Sequence, residues 1–179
     1  MPETLNTETI TLGGGCFWCT ECIFAELRGM LKVESGYSNG MAPPISYEAV
    51  CSGTTGCVEV TRLTFDPSVL SLTQLLEVFF NIHDPTTLNR QGADVGTQYR
   101  SGVYYEDAAQ AQTARDVIAK IEGEQKISIV TEVLPLERYQ AAEDYHQDYL
   151  ANNPRQPYCQ MVAAPKLAKA RQTFKHLLK

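Results

Sequence analysis

Hydrophobic and polar positions alternate with two periods along the chain, and each period predicts one kind of element. Alternation at every second residue is typical of half-buried strands, whereas apolar residues recurring every three or four positions are typical of helices. The predicted strands are 9–12, 30–37, 58–65, 99–105 and 128–134. The predicted helices are 16–27, 46–50, 71–80, 107–121 and 139–150. Strands that alternate with helices predict one sheet with helices packed against it, in an α/β or α+β sandwich.

Three segments depart from this alternation. The stretch 83–97 is polar and has no period, and loops of this length are usually functional or disordered. Residues 152–164, which carry Cys159, are predicted to be coil. The basic segment 165–179 has its apolar residues at helical spacing, which favours an amphipathic helix docked on the body over a free anchor for an acidic partner.

Composition and charge limit the possible partners. A chain of 179 residues with 44% hydrophobic content is the size of one globular domain, so we expect 1–179 to be a single unit. The net charge is −6, and five of the 15 Lys and Arg residues fall within 165–179. The acidic remainder should repel nucleic acid, so we expect no nucleic-acid partner.

The chain contains no apolar run near the ~20 residues that cross a bilayer, and residues 1–8 do not resemble a signal peptide. We therefore expect a soluble, cytoplasmic, monomeric protein. Six cysteines in a reducing compartment are more typical of redox-active, metal-binding or buried thiols than of a disulfide framework. Zinc on Cys16, Cys19 and either Cys51 or Cys57 is disfavoured, because Cys51 and Cys57 are not a short-spaced ligand couple. We expect no metal and no cofactor.

The strongest candidate for chemistry is Cys16, which follows three glycines and should begin a helix. Unpaired N–H groups and the helix dipole stabilise an anion at that position, so the sequence predicts a thiol with a lowered pKa. Phe17 and Trp18 come next and could form an aromatic wall for a methyl or thioether group. The alternative is that these three residues fill a core, but a core needs no run of glycines.

A second candidate is Glu59, which falls inside the predicted strand 58–65. Carboxylates are depleted in strands, so Glu59 either faces solvent or has a role. The residue pattern alone does not separate these two possibilities. Asp94, Gln98 and Tyr99 lie at the end of the long polar segment, just before a strand.

The chain resembles the peptide methionine sulfoxide reductase A (MsrA) family at many separate points between residue 13 and about residue 159. The matching stretches include Gly15-Cys16-Phe17-Trp18-Cys19, Gly36-Tyr37, Tyr47-Glu48, Val50-Cys51-Ser52-Gly53, Glu59-Val60, Asp66-Pro67, His83-Asp84-Pro85-Thr86, Arg90-Gln91-Gly92, Gln98-Tyr99-Arg100-Ser101 and Ala142-Glu143-Asp144-Tyr145-His146-Gln147. The resemblance implies a ferredoxin-like α+β two-layer sandwich with extra helices and a long C-terminal coil. It also implies reduction of methionine-S-sulfoxide, in proteins and as the free amino acid, with thioredoxin as reductant.

The resemblance also implies roles for individual residues. Cys16 would be the nucleophile that becomes a sulfenic acid, and Phe17 and Trp18 would bind the substrate methyl. Three further residues would surround or support the sulfoxide oxygen: Glu59 as a protonated acid, Tyr47 and Tyr99. Asp94 would support the polar side of the site, around the sulfoxide oxygen. One departure is Cys57, where the family usually has His.

The resemblance implies that Cys159 resolves the sulfenic acid by forming a disulfide, and a mobile coil would let it reach Cys16. Cys19 remains the alternative, because residues i and i+3 on a helix are close enough for a disulfide. We expect its side chain to point into the layer beneath. A rival function is a thiol-disulfide oxidoreductase that works through Cys16-x-x-Cys19, although that chemistry needs no Glu59, Tyr47 and Tyr99.

Overall fold

A six-stranded sheet forms the centre of the computed structural model, which describes residues 6–179. Its strands are β1 (Glu8–Gly13), β2 (Met30–Ser38), β3 (Val58–Phe65), β6 (Gly102–Tyr105), β7 (Glu132–Pro135) and β8 (Gln140–Ala141). A separate hairpin pairs β4 (Arg90–Gln91) with β5 (Asp94–Val95). Residues 1–5, which belong to the N-terminal stretch 1–8, lie outside the described residues.

The helices are α1 (Phe17–Phe24), α2 (Tyr47–Cys51), α3 (Leu72–Ile82), α4 (Ala108–Gln125), α5 (Tyr149–Asn152) and α6 (Ala164–Thr173). The elements β1, α1, β2, β3, α3 and β6 follow one another in the β-α-β-β-α-β order of a ferredoxin-like fold. The sheet order β7-β6-β1-β3-β2-β8 puts these four strands at the centre, and all their pairings are antiparallel. Strand β7 joins the edge in parallel with β6, and β8 pairs with β2. The fold is thus the expected ferredoxin-like sandwich with additions at both edges.

The alternation along β3 determines which side chains face the site. Leu63 and Phe65 belong to the main core, which β1, α1, α3, α4 and α6 complete. Val58 and Val60 point to the opposite face, where they pack with Tyr104. Since side chains alternate between faces, Glu59 lies on the same face as Leu63, under the helices.

The capping box predicted at Ser71 and Gln74 is present at the start of α3. Other boundaries differ from prediction. Helix α4 extends through Gly123 to Gln125, because a glycine in an exposed helix costs only about 1 kcal/mol. The strand predicted at 99–105 begins at Gly102 and is preceded by a 3₁₀ turn, Thr97–Tyr99.

The helix predicted at 139–150 is wrong. This segment contains β8, a 3₁₀ turn at Asp144–His146 and only the start of α5. Its backbone is used for tertiary pairing instead, since the Ala142 N–H donates to the Ser35 carbonyl at 2.8 Å. The Gln147 amide adds two bonds to the same residue, accepting from the Ser35 N–H and donating to its carbonyl.

The coil predicted at 152–164 is also wrong in its second half. Cys159–Ala163 is a π-helix that leads directly into α6. The side chains of Cys159 and Ala163 are both fully buried, so tertiary packing anchors this turn although the sequence has no helical period. Helix α6 ends at Thr173, short of the predicted 179, and a 3₁₀ turn, Lys175–Leu177, follows it. No helix within residues 6–179 is both long and apolar enough to cross a membrane.

Candidate active site

Cys16 lies at the junction between β1 and α1. It is the N-cap residue of α1 and is partly exposed. Gly15 before it has φ of +92°, and a Cβ there would lie 2.7 Å from the Gln91 side chain. Glycine is therefore required by both the backbone conformation and the available space. This explains why the glycine run is adjacent to the thiol.

The Cys16 thiol is paired with the thiol of Cys19, one turn along α1. The hydrogen bond from this partner, together with burial, raises the pKa of Cys16 well above its ordinary value. The same bond lowers the pKa of Cys19 to about 7. The prediction of a lowered pKa at Cys16 is therefore wrong, because a neighbouring thiol outweighs the N–H groups of a short helix. Cys19 is buried, as expected of a side chain that points into the layer beneath, and its Sγ lies 3.7 Å from the Tyr158 hydroxyl.

Glu59 is a buried acid next to this thiol pair. Its side chain is 1% exposed, and burial raises its pKa to about 8. Oε1 accepts a hydrogen bond of 3.4 Å from the Phe17 N–H, whereas Oε2 has no partner among the described residues. The possibility that Glu59 faces solvent is thereby excluded. At neutral pH it holds a proton that it can donate.

Two phenols lie close enough to Glu59 to respond to its charge. Tyr47 is the first residue of α2 and Tyr99 ends a 3₁₀ turn, and both are partly exposed. Burial raises the pKa of each, and the charge of Glu59 raises it further. Both hydroxyls therefore stay protonated and are available as hydrogen-bond donors. The structure brings them to the same acid from different parts of the chain.

Asp94 stands on the short hairpin strand β5. Its Oδ2 accepts a 2.7 Å hydrogen bond from the Tyr158 hydroxyl, which lies 3.7 Å from Sγ of Cys19. The charge of Asp94 is also among the causes that raise the pKa of Glu59. Asp94 is therefore connected both to the acid and, through Tyr158, to the thiol pair.

Trp18 provides a partly exposed aromatic surface beside Cys16. Its indole stacks on Tyr149 with ring centroids 3.8 Å apart and an angle of 7° between the planes. Phe17, by contrast, is fully buried and packs against Tyr37. The two aromatic residues therefore differ, because Trp18 can contact a ligand directly whereas Phe17 lies beneath the surface.

Sequence reasoning gave no role to several residues that complete the site. Glu143 accepts hydrogen bonds from the Tyr37 hydroxyl at 2.9 Å and from the Tyr47 N–H at 3.2 Å. His146, Tyr149 and Tyr158 surround Trp18. All of these residues lie more than 100 positions after Cys16 in the sequence, and only the fold brings them to it. No local period marks them.

The other cysteines are dispersed. Cys159 is fully buried, and burial followed by the charge of Cys19 raises its pKa. Burial also raises the pKa of Cys22 to about 12, which makes it a poor nucleophile. Cys51 is exposed and Cys57 is buried. Within residues 6–179, no three His, Cys, Asp or Glu side chains are grouped to hold a metal ion.

Two neighbouring thiols that shift each other's pKa, beside an acid that keeps its proton at neutral pH, are suited to the reduction of a polar bond by sulfur. The fold and the site together define a thiol-based oxidoreductase.

Comparisons with known proteins give the family. A sequence model for the family described as peptide methionine sulfoxide reductase matches residues 8–178. The MsrA protein of Chromobacterium violaceum is 52% identical over 173 residues, which cover 96% of this chain and 98% of that protein. The chain belongs to the peptide methionine sulfoxide reductase family and is an oxidoreductase of that type.

Solved structures agree with this family. Reduced Mxr1 from Saccharomyces cerevisiae matches with a TM-score of 0.79 at 35% identity, covering 86% of this chain and 89% of that one. A structure of Mxr1 in complex with Trx2 matches with a TM-score of 0.56 at 25% identity, covering 80% and 84%. The ferredoxin-like fold derived above is therefore the fold of this family.

Proposed function

We propose that this enzyme reduces methionine-S-sulfoxide, in proteins and as the free amino acid, through a sulfenic acid on Cys16. The observation that carries the proposal is the protonated, buried carboxyl of Glu59 with a free Oε2 beside the Cys16 thiol. A sulfoxide has an electrophilic sulfur and an oxygen that leaves only when protonated. A thiol and an acid at one site supply both requirements.

The first step needs a thiolate on Cys16. The pKa of Cys19, about 7, means that the thiol pair has lost one proton in part of the molecules at neutral pH. We infer that the remaining proton shifts from Cys16 to Cys19 when the polarised sulfur of the substrate approaches. Glu59 does not oppose this shift, because it is neutral below about pH 8.

The chemical step then transfers oxygen from the substrate to the enzyme. The Cys16 thiolate attacks the sulfoxide sulfur, and Glu59 donates its proton to the oxygen while the Tyr47 and Tyr99 hydroxyls donate hydrogen bonds to it. Collapse of this adduct leaves Cys16 as a sulfenic acid, releases methionine and leaves Glu59 ionised, and the proton of Cys19 then returns to Glu59. Asp94 supports the polar side through Tyr158. Trp18 contacts the substrate methyl, with Phe17 as the floor beneath it.

Recycling requires a second thiol. We propose that Cys19 attacks the Cys16 sulfenic acid first, forming a Cys16–Cys19 disulfide and releasing water. This proposal rests on the effect that each of the two thiols has on the pKa of the other, which makes Cys19 a neighbour of Cys16 in the reduced protein. Cys159 is not in a mobile coil, because it is fully buried at the start of a π-helix.

We propose that Cys159 acts second. It follows Tyr158, whose hydroxyl lies 3.7 Å from Cys19 Sγ, and its pKa responds to the charge of Cys19. We propose that the Cys159 thiolate attacks Cys19 in the first disulfide, which frees the Cys16 thiolate and forms a Cys19–Cys159 disulfide. Thioredoxin would then reduce this second disulfide. The Mxr1 complex with Trx2 supports such a partner.

The direct test is the reduction of the S-sulfoxide and the R-sulfoxide of N-acetyl-methionine to N-acetyl-methionine, with dithiothreitol and then with thioredoxin as reductant. We expect turnover of the S epimer only, and none in Cys16→Ser, whose hydroxyl is a poor nucleophile at neutral pH. Insulin reduction without sulfoxide turnover would instead support the thiol-disulfide oxidoreductase. Turnover of the R epimer at a comparable rate would refute the stereochemical assignment.

A further inference from the structure

We propose that His146 is a positioning residue that holds the Trp18 indole in its substrate-binding orientation and releases it when the imidazole is protonated. The proposal rests on the proposed function, which takes Trp18 as the residue that contacts the substrate methyl. It makes His146 a second residue on which the specificity of that contact depends. It also adds a dependence on pH that arises in the binding site rather than in the chemistry.

The geometry is a single long-range hydrogen bond. Nε1 of Trp18 donates to Nδ1 of His146 at 3.0 Å, across a separation of 128 residues. Because an indole nitrogen can only donate, Nδ1 of His146 must be unprotonated and its proton must lie on Nε2. This bond fixes the in-plane rotation of the indole, which its stacking on Tyr149 leaves free.

His146 is held rigidly enough to serve as an anchor. Its side chain is 1% exposed, and its ring packs against Tyr47 and Tyr145 with centroid distances of 4.3 and 4.1 Å. The ring of Phe17 lies 5.2 Å away on another side. Because the His146 ring is packed in this way, it orients the Trp18 indole that donates a hydrogen bond to it.

An apolar residue would fill this volume at lower cost. Nε2 of His146 is buried and has no hydrogen-bond partner among the described residues, and such a group is expensive to keep. Among the described residues, the imidazole makes one polar contact, which is the bond to Trp18. The histidine is therefore explained by its Nδ1 acceptor and by nothing else in its surroundings.

Protonation removes that acceptor. An imidazolium carries hydrogen on both nitrogens, so two donors would face each other and the bond to Trp18 would be lost. Burial lowers the pKa of His146 below its ordinary 6.5, and the charges of Glu143 and Glu48 act in the opposite direction. The other titratable groups around it are the phenol of Tyr149 and the phenols of Tyr47 and Tyr145, and burial raises the pKa of the last two so that they stay uncharged across the acidic range. Trp18 should thus be anchored at neutral pH and released in acid.

The first test uses fluorescence, because Trp18 is the only tryptophan in the chain. Imidazolium quenches an indole more strongly than imidazole does, so the emission of the wild type should fall with an inflection below pH 6.5. His146→Asn should abolish the inflection, since Oδ1 of asparagine takes the place of Nδ1 and does not titrate. Glu21→Gln is the matched control, because Glu21 lies near Trp18 and has a pKa raised to about 6.

The second test uses steady-state kinetics with an S-sulfoxide peptide from pH 4.5 to 8. In the wild type we expect KM to rise about three- to tenfold in acid with a smaller change in kcat, which is the range that one hydrogen bond is worth. His146→Asn should keep the neutral-pH KM at all pH values. His146→Leu should show the raised KM throughout, and its thermal midpoint shows that it is folded.

The outcomes separate this proposal from the proposed function. A wild type without the fluorescence inflection, or with a KM that is independent of pH, overturns the role of His146, as does a normal KM in His146→Leu. An inflection in a protein that fails to reduce any sulfoxide instead overturns the proposed function and, with it, the substrate role given to His146. His146→Asn keeps the test decisive if His146→Leu does not fold.

Discussion

The N–H of Phe17 donates a 3.4 Å hydrogen bond to Oε1 of Glu59 and thereby joins the residue after the reactive thiol to the buried acid on β3. The bond leaves Oε2 free and fixes the carboxyl relative to Cys16. It tends to lower the pKa of Glu59, but burial is the larger effect and leaves the pKa at about 8. The acid is thus held in place without being ionised.

Replacement of the acid should slow the chemical step. Glu59→Gln keeps the shape of the side chain but removes the acidic proton, so single-turnover methionine release should fall by about 10²-fold or more. The wild-type rate should also fall as pH rises through about 8, because Glu59 loses its proton there. Rapid-quench measurements from pH 6 to 9.5 should show that alkaline decline only in the wild type. An equal rate in Glu59→Gln at pH 7 would contradict the role of the acid.

The same substitution should stabilise the protein at alkaline pH. The pKa of Glu59 is about 8 in the folded chain and 4.5 ordinarily, so the folded state binds the proton more tightly than the unfolded state. Stability is then fully present below pH 4.5 and is lost as pH rises towards 8, by about 5 kcal/mol at most. Glu59→Gln should remove most of this decline in urea unfolding at pH 5 and pH 8.

Glu21 provides the internal control for that experiment. Its pKa is raised to about 6 by burial, so it should produce a smaller decline that is complete by about pH 6.5. Glu21→Gln should remove only this part. A wild-type stability that is equal at pH 5 and pH 8 would show that Glu59 is not protonated in the fold.

The sequence predicted the parts of the site that depend on local chemistry. The glycine run placed Cys16 at a helix start because only glycine fits the positive φ of Gly15. The alternation of β3 placed Glu59 on a strand. In both places the requirement is local, so it can be detected within a short window of residues.

The sequence did not predict the residues that act across the fold. Tyr158 reaches Asp94 over 64 residues and His146 reaches Trp18 over 128, and neither has a neighbour in the sequence that indicates its partner. The π-helix at Cys159 was missed for a similar reason, because tertiary burial holds it without a helical period. The pKa order of Cys16 and Cys19 also depends on side-chain contact rather than on helix position.

Tyr158 and Asp94 should change the reactivity of Cys19 in opposite directions. Apart from the larger effect of Cys16, the Tyr158 hydroxyl helps to lower the pKa of Cys19 when its proton turns from Asp94 to the Cys19 thiolate, whereas the charge of Asp94 raises that pKa. In a Cys16→Ser background, Tyr158→Phe should therefore slow iodoacetamide labelling of Cys19 at pH 7 by a few-fold, and Asp94→Asn should accelerate it. Peptide mass spectrometry locates the label. Changes of the same sign in both variants would contradict the arrangement of these three groups.

The order in which the two disulfides form can be determined with variants that each lack one cysteine, oxidised by one equivalent of substrate. Cys159→Ser should release one methionine per enzyme and accumulate a Cys16–Cys19 disulfide, because the first exchange needs no other thiol. Cys19→Ser should also release one methionine but leave Cys16 as a sulfenic acid that dimedone labels, since the buried Cys159 is held in the π-helix. The wild type should accumulate the Cys19–Cys159 disulfide with Cys16 free, and on addition of a second equivalent of substrate it should release a second methionine before thioredoxin is added. Cys22→Ser serves as the control and should behave as the wild type, because the Cys22 thiol is poorly reactive at neutral pH.

A Cys16–Cys159 disulfide in the wild type, together with normal thioredoxin-driven turnover in Cys19→Ser, would contradict this order. It would show that Cys159 resolves the sulfenic acid directly and that the π-helix opens during the catalytic cycle.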